Sequence, residues 1–158
     1  MDADIPETML AWRVLQFGGV ESLRQESVNV PEPAHGKVLI EVQAAALNPV
    51  DLKTLQGRYP LVTQGDLPYT LGRDVAGVVV SRGEGARAWP QGARATRYTA
   101  RPDGTQPARI VDLVEKGAVK AEVVERFAFD DTPRGFERLV EAHPHGKLVV
   151  MRQWHDAL

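Results

Sequence analysis

The side chains of this chain that could do chemistry fall into a few groupings. They are Asn48-Pro49-Val50-Asp51, the pair Arg73-Asp74, the phenol of Tyr59, and the glycine run Gly83-Glu84-Gly85-Ala86-Arg87-Ala88. Asn48 can cap a helix, Pro49 suits its first position, and Asp51 falls three residues after the cap, near the positive helix end. Gly57 can then end that helix. The glycine run has the G-x-G-x-x-A spacing of a dinucleotide fingerprint. That motif works only if a helix of several turns begins at the glycines and presents its amides to a diphosphate. Here Trp89-Pro90-Gln91-Gly92 follows at once, and Pro90 and Gly92 interrupt such a helix. The run therefore predicts a turn between strands.

Metal and nucleophile chemistry are poorly supplied. The chain has no Cys, which excludes disulfides, thiolate metal sites and a Cys nucleophile. His143 and His145 stand two apart across Pro144, not at helical ligand spacing, and read as turn residues, while His35 and His155 have no evident partner. With 19 basic and 21 acidic side chains the net charge is -2, so no single-sign field is expected to hold nucleic acid or an anionic membrane. Asp2, Asp4 and Glu7 near the start do not read as a signal peptide, and no stretch reads as a membrane span, so a cytoplasmic location is expected.

The positioning elements are short. Ala11–Leu15 and Leu23–Val30 read as strands around the Gly18-Gly19 turn. Lys37–Gln43 alternates, with Val38, Ile40 and Val42 expected on one buried face. Asp74–Ser81 is nearly continuously apolar and reads as a more deeply buried strand. Beyond Gly104 a helix is expected through Gln106–Lys116, with Ile110, Val111, Leu113 and Val114 as its apolar stripe and Gly117 ending it. Val123–Phe129 reads as a strand and Asp131-Thr132-Pro133 as a helix start. Phe136, Leu139 and Val140 would form that helix's buried face, before a last strand at Lys147–Met151. Trp12, Trp89 and Trp154 read as packing residues. Many short strands separated by Gly and Pro predict a mainly β, α+β domain built on a small barrel with flanking helices.

Three stretches carry a resemblance. Ala11-Trp12-Arg13-Val14-Leu15-Gln16-Phe17-Gly18-Gly19, Ala46-Leu47-Asn48-Pro49-Val50-Asp51-Leu52-Lys53 and Leu67-Pro68-Tyr69-Thr70-Leu71-Gly72-Arg73-Asp74-Val75-Ala76-Gly77-Val78-Val79 resemble, in order, the GroES-like catalytic domain of zinc-independent medium-chain quinone oxidoreductases. Pro102-Asp103-Gly104-Thr105-Gln106, Ile110–Lys116 and His145-Gly146-Lys147-Leu148-Val149-Val150 resemble the family's closing segment. The Rossmann domain that the family places between these parts is missing. The implied organisation is a single domain over 1–158, with a barrel part over 1–92, a closing segment over 93–158 and a junction near 89–99.

The resemblance implies hydride transfer from NADPH to a quinone or enone, with the protein supplying placement and exclusion of water. It places Asn48 against the nicotinamide end of the cofactor or the substrate and gives Asp51 an orienting role. It also sets Tyr59 beside the substrate, where the phenol would pack on a ring or donate to its oxygen; packing between loops is the other account of Tyr59. Gly72-Arg73-Asp74 replaces the Gly-His-Glu of the zinc enzymes, and Arg73 has no lone pair for a metal, so zinc is not expected and Arg73 becomes a substrate contact. With no cofactor domain, tight NADPH binding and turnover by this chain alone are not expected. The alternative is a non-catalytic GroES-like scaffold or binding module, left by natural or deliberate loss of a domain.

Overall fold

The computed structural model describes residues 5–87, 91–97, 112–120, 122–141 and 144–152. Among these, the strands in chain order are β1 (Thr8–Val14), β2 (Leu23–Asn29), β3 (Val38–Leu47), β4 (Tyr69–Thr70), β5 (Val75–Arg82), β6 (Arg94–Arg97), β7 (Val123–Ala128) and β8 (Lys147–Met151), and the longer helices are α1 (Pro49–Leu55) and α2 (Thr132–Glu141). Hydrogen bonding divides the strands into a three-stranded sheet, β2-β1-β4, and a five-stranded sheet, β6-β5-β3-β8-β7. The mainly β architecture with flanking helices is the expected one.

β3 is longer than its alternating stretch because it has two different partners. Its first part pairs antiparallel with β5, from Val38↔Arg82 to Ala44↔Ala76, and its second with β8, from Ala44↔Met151 to Leu47↔Leu148. Register shifts at Leu39/Ile40 and Val42/Ala44 break the period of two. The expected common face of Val38, Ile40 and Val42 is therefore corrected. Val38 and Ile40 are half-buried together with Leu39, whereas Val42 is 43% exposed. β5 keeps every residue from Val75 to Ser81 at least half-buried, as its apolar run predicts. Gly77 in its middle is required by close approach, since a Cβ there would stand 2.1 Å from the Glu41 carbonyl oxygen of β3.

β7 runs parallel to β8, and parallel neighbours need a crossover, which α2 supplies. Phe136 of α2 is 2% exposed. Gly135 lets the helix come close, as a Cβ would lie 2.6 Å from Leu47 Cδ1 and 3.3 Å from the Phe127 ring. Leu139 packs at the margin of the core, but Val140 is 53% exposed, so the expected buried face is narrower than its apolar residues suggested. At the start of α2 it is Thr132 whose hydroxyl donates, at 2.6 Å to the Phe129 carbonyl.

One hydrophobic cluster draws on both parts of the chain: Val14, Leu23, Leu47 and Leu55 meet Phe127, Phe136, Leu148 and Val150. Trp12 packs against it, as expected of a packing residue. Trp89 and Trp154 lie outside the described residues.

Residues 112–115 are helical, and Gly117 ends the turn at φ +70, its N–H bonding the Val114 carbonyl at 3.0 Å. Leu113 and Val114 are 41% and 43% exposed, so this part of the expected stripe does not face the core, and Ile110 and Val111 lie outside the described residues. No helix among the described residues is long and apolar enough to cross a membrane.

Candidate functional site

α1 is built as its sequence predicts. Asn48 and Asp51 stand in a capping-box arrangement, Pro49 opens the helix, and Gly57 follows it at φ +68. The Asp51 carboxylate accepts the Asn48 backbone N–H at 2.9 Å. Leu55 and Thr54 bury the helix's inner face, the Thr54 hydroxyl donating to the Val50 carbonyl at 2.8 Å.

The Asn48 carboxamide is held on three sides. Its Nδ2 donates to Asp74 Oδ2 at 2.8 Å and to the Ala46 carbonyl at 3.3 Å, and its Oδ1 accepts from Lys147 Nζ at 2.7 Å. Asp74 immediately precedes β5, and Lys147 opens β8, so the residue at the head of α1 is gripped from both parts of the chain. Neither partner is evident from local sequence. Asp74 adjoins Arg73, and Lys147 is a charge at the start of an apolar strand; only the pairing of β3 with β5 and β8 brings them to Asn48.

Asp51 is 1% exposed, and its carboxyl is pushed up to about 6. Burial, which disfavours the charged form, is the main cause. The Asn48 backbone hydrogen bond opposes it, the nearby Asp74 charge adds to it, and Arg73 opposes it again. Arg73 and Tyr59, both expected to contact substrate, contact each other: the guanidinium lies 4.4 Å from the centroid of the phenol ring, in a cation–π arrangement. Arg73 Nε is buried with no hydrogen-bond partner among the described residues. The structure thus brings Asn48, Asp51 and Arg73 into one neighbourhood, with Tyr59 attached through Arg73 and with Asp74 and Lys147 added.

This donor set suits a polar organic ligand better than a metal. Two carboxylates are offset by a guanidinium and an ammonium, and no group of three or more His, Cys, Asp or Glu among the described residues could hold a metal ion. His145 is exposed in the bend before β8, and His143 and His155 lie outside the described residues.

The described residues do not fit the diphosphate of a dinucleotide. Gly83–Arg87 forms turns, with Ala86 N–H bonding the Gly83 carbonyl at 3.2 Å and Arg87 N–H the Gly85 carbonyl at 2.8 Å. Its glycines serve close packing. A Cβ at Gly83 would meet the Ala34 carbonyl oxygen at 2.0 Å, and one at Gly85, where φ is +80, would meet the His35 ring at 2.7 Å. His35 thereby finds the neighbour that sequence did not supply.

Comparison with known proteins bears on the family and the fold. The family model of the alcohol dehydrogenase GroES-like domain matches residues 34–118. The chain is 40% identical over 124 residues to the chloroplastic NADPH-dependent alkenal/one oxidoreductase of Arabidopsis thaliana, covering 78% of this chain and 32% of that protein. It is 45% identical over 87 residues to the quinone oxidoreductase of Rattus norvegicus, covering 54% of this chain and 26% of the relative. The solved quinone oxidoreductase of Coxiella burnetii shares the fold, with a TM-score of 0.56 at 22% identity over 77% of this chain and 49% of that one. The chain spans about a third or less of the length of the two curated relatives.

Proposed function

Because this chain belongs to the alcohol dehydrogenase GroES-like domain family, we propose that it is the catalytic-domain portion of an NADPH-dependent quinone or enone oxidoreductase. On this reading it supplies the acceptor side of the site and is inactive alone. The single observation that carries the reading is the clamped Asn48 carboxamide beside the Tyr59–Arg73 pair: a half-buried polar wall next to an aromatic ring, suited to a small conjugated carbonyl compound. Similarity to relatives named as alkenal/one and quinone oxidoreductases supports the substrate class.

In the complete enzyme, NADPH would supply the hydride. This chain's own residues place and orient the acceptor: Asp51 holds the Asn48 backbone, Asp74 and Lys147 hold its amide, and Arg73 lies over Tyr59. Zinc has no part in the proposal, because Arg73 has no lone pair to offer and the Asn48 amide is already engaged, so neither is a good ligand. Since the turn at Gly83–Arg87 offers no helix start to a diphosphate, the dinucleotide must be held by protein outside the described residues.

The test is to add NADPH and a simple quinone to the full chain and follow nicotinamide absorbance. The expected result is no oxidation above the protein-free rate. Sustained turnover by the chain alone would contradict the reading that it is inactive alone.

A further inference from the structure

Asn48 has two side-chain N–H donors, and both are engaged, one by Asp74 Oδ2 at 2.8 Å and one by the Ala46 carbonyl at 3.3 Å. Reversing the amide would turn its nitrogen toward the Lys147 ammonium and its oxygen toward the Asp74 carboxylate, two repulsive contacts in place of two attractive ones. The amide is therefore fixed, and Asn48 has no N–H left to give a ligand. Lys147 is different. Its ammonium carries three N–H groups, one is taken by Asn48 Oδ1 at 2.7 Å, and no other side-chain partner is found for it among the described residues. Lys147 is exposed and sits at the rim of the same wall.

We propose that Lys147, oriented by Asn48, is the group that donates a hydrogen bond to the acceptor's carbonyl oxygen, and that Asn48 and Asp74 are positioning residues for it. The proposal rests on the reading that this face takes a quinone or enone. The ligand chemistry is a ring or conjugated carbonyl whose oxygen gains negative charge on reduction. An ammonium aimed at that oxygen stabilises the charged form more than the neutral one, which is the useful direction for such a reaction. No proton transfer by Lys147 is required, and water can deliver the proton afterwards.

A test that does not depend on turnover uses p-nitrophenol, a ring with one ionisable oxygen that stands in for the half-reduced acceptor. The full chain is titrated at fixed pH while phenolate absorbance and backbone amide resonances are followed together. The wild-type chain should bind the ring, moving resonances around Asn48 and Tyr59, and should raise the bound phenolate-to-phenol ratio by about threefold to tenfold, the effect of a nearby opposite charge. Lys147→Met should keep ring binding and lose the phenolate excess, Lys147→Arg should keep most of it, and Lys53→Met, at the far end of α1, should match wild type. A full phenolate excess in Lys147→Met would overturn the assignment of Lys147 and leave the acceptor-side reading standing. Absence of saturable ring binding to the wild-type chain would overturn that reading and the role of Lys147 with it.

Discussion

Trp12 and Phe129 are joined twice across the chain: the indole Nε1–H donates to the Phe129 carbonyl at 2.8 Å, and the two rings lie 6.3 Å apart at a 47° tilt. The contact ties β1 to the turn that follows β7. Close by, Gln25 Nε2 donates to Asp130 Oδ1 at 2.8 Å. Together with the shared cluster of Val14, Leu23, Leu47 and Leu55 with Phe127, Phe136, Leu148 and Val150, it predicts that the barrel part and the closing segment fold as one cooperative unit.

Removing everything after Thr99 should accordingly prevent folding, since it strips both β8 and β7 from the edge of β3 and takes half of the cluster with them. Within the full chain, Phe136→Ala should cost about 3–5 kcal/mol, as expected for a fully buried aromatic. Denaturant unfolding followed by circular dichroism checks both. A soluble 1–99 fragment with a cooperative transition would show that the parts are independent.

How much of this was legible in the sequence follows from the range of each interaction. The α1 cap could be read because Asn48 and Asp51 are three residues apart, and β8 because Leu148 to Met151 is a continuous apolar run. The outward turn of Val42 could not, because it depends on a bulge set by pairing with β5. Val140 looked like part of a buried helix face, but only the side of α2 carrying Gly135 and Phe136 meets the sheet. At the candidate site, Asn48, Asp51, Tyr59 and Arg73 are offered by resemblance. Asp74 and Lys147, the charged partners of Asn48 at separations of 26 and 99 residues, needed the sheet order to become visible.

The buried Asp51 should leave a mark on the pH dependence of stability. Its carboxyl is raised from 3.8 to about 6 in the folded chain, so between these values the folded state holds the proton that the unfolded state has lost. Stability from this group is complete below about pH 4 and declines as pH rises through about 6, a difference on the order of 3 kcal/mol. Asp51→Asn should flatten that decline and make the chain more stable than wild type at pH 7. Unfolding curves from pH 4 to pH 8 measure it, and an unchanged slope in Asp51→Asn would assign the decline to another group.

Protein prepared without chelator should contain no stoichiometric transition metal. Arg73 lies over Tyr59 with no lone pair to offer, and Asn48 is already bonded to Asp74 and Lys147. Elemental analysis gives the answer. One tightly retained zinc per chain would require these side chains to rearrange and would overturn the zinc-independent reading.

The central claim is that this chain carries the acceptor side of a reductase site with no dinucleotide site among its described residues, and titration with NADPH followed by calorimetry and amide NMR tests it most directly. The predicted dissociation constant is in the millimolar range or weaker, about 4 kcal/mol of binding or less, with shifts confined to the neighbourhood of Asn48 and Tyr59. Micromolar, saturable binding that shifts Gly83–Arg87 and is abolished by Gly85→Val would contradict it, because the turn packed against His35 would then be a working phosphate loop.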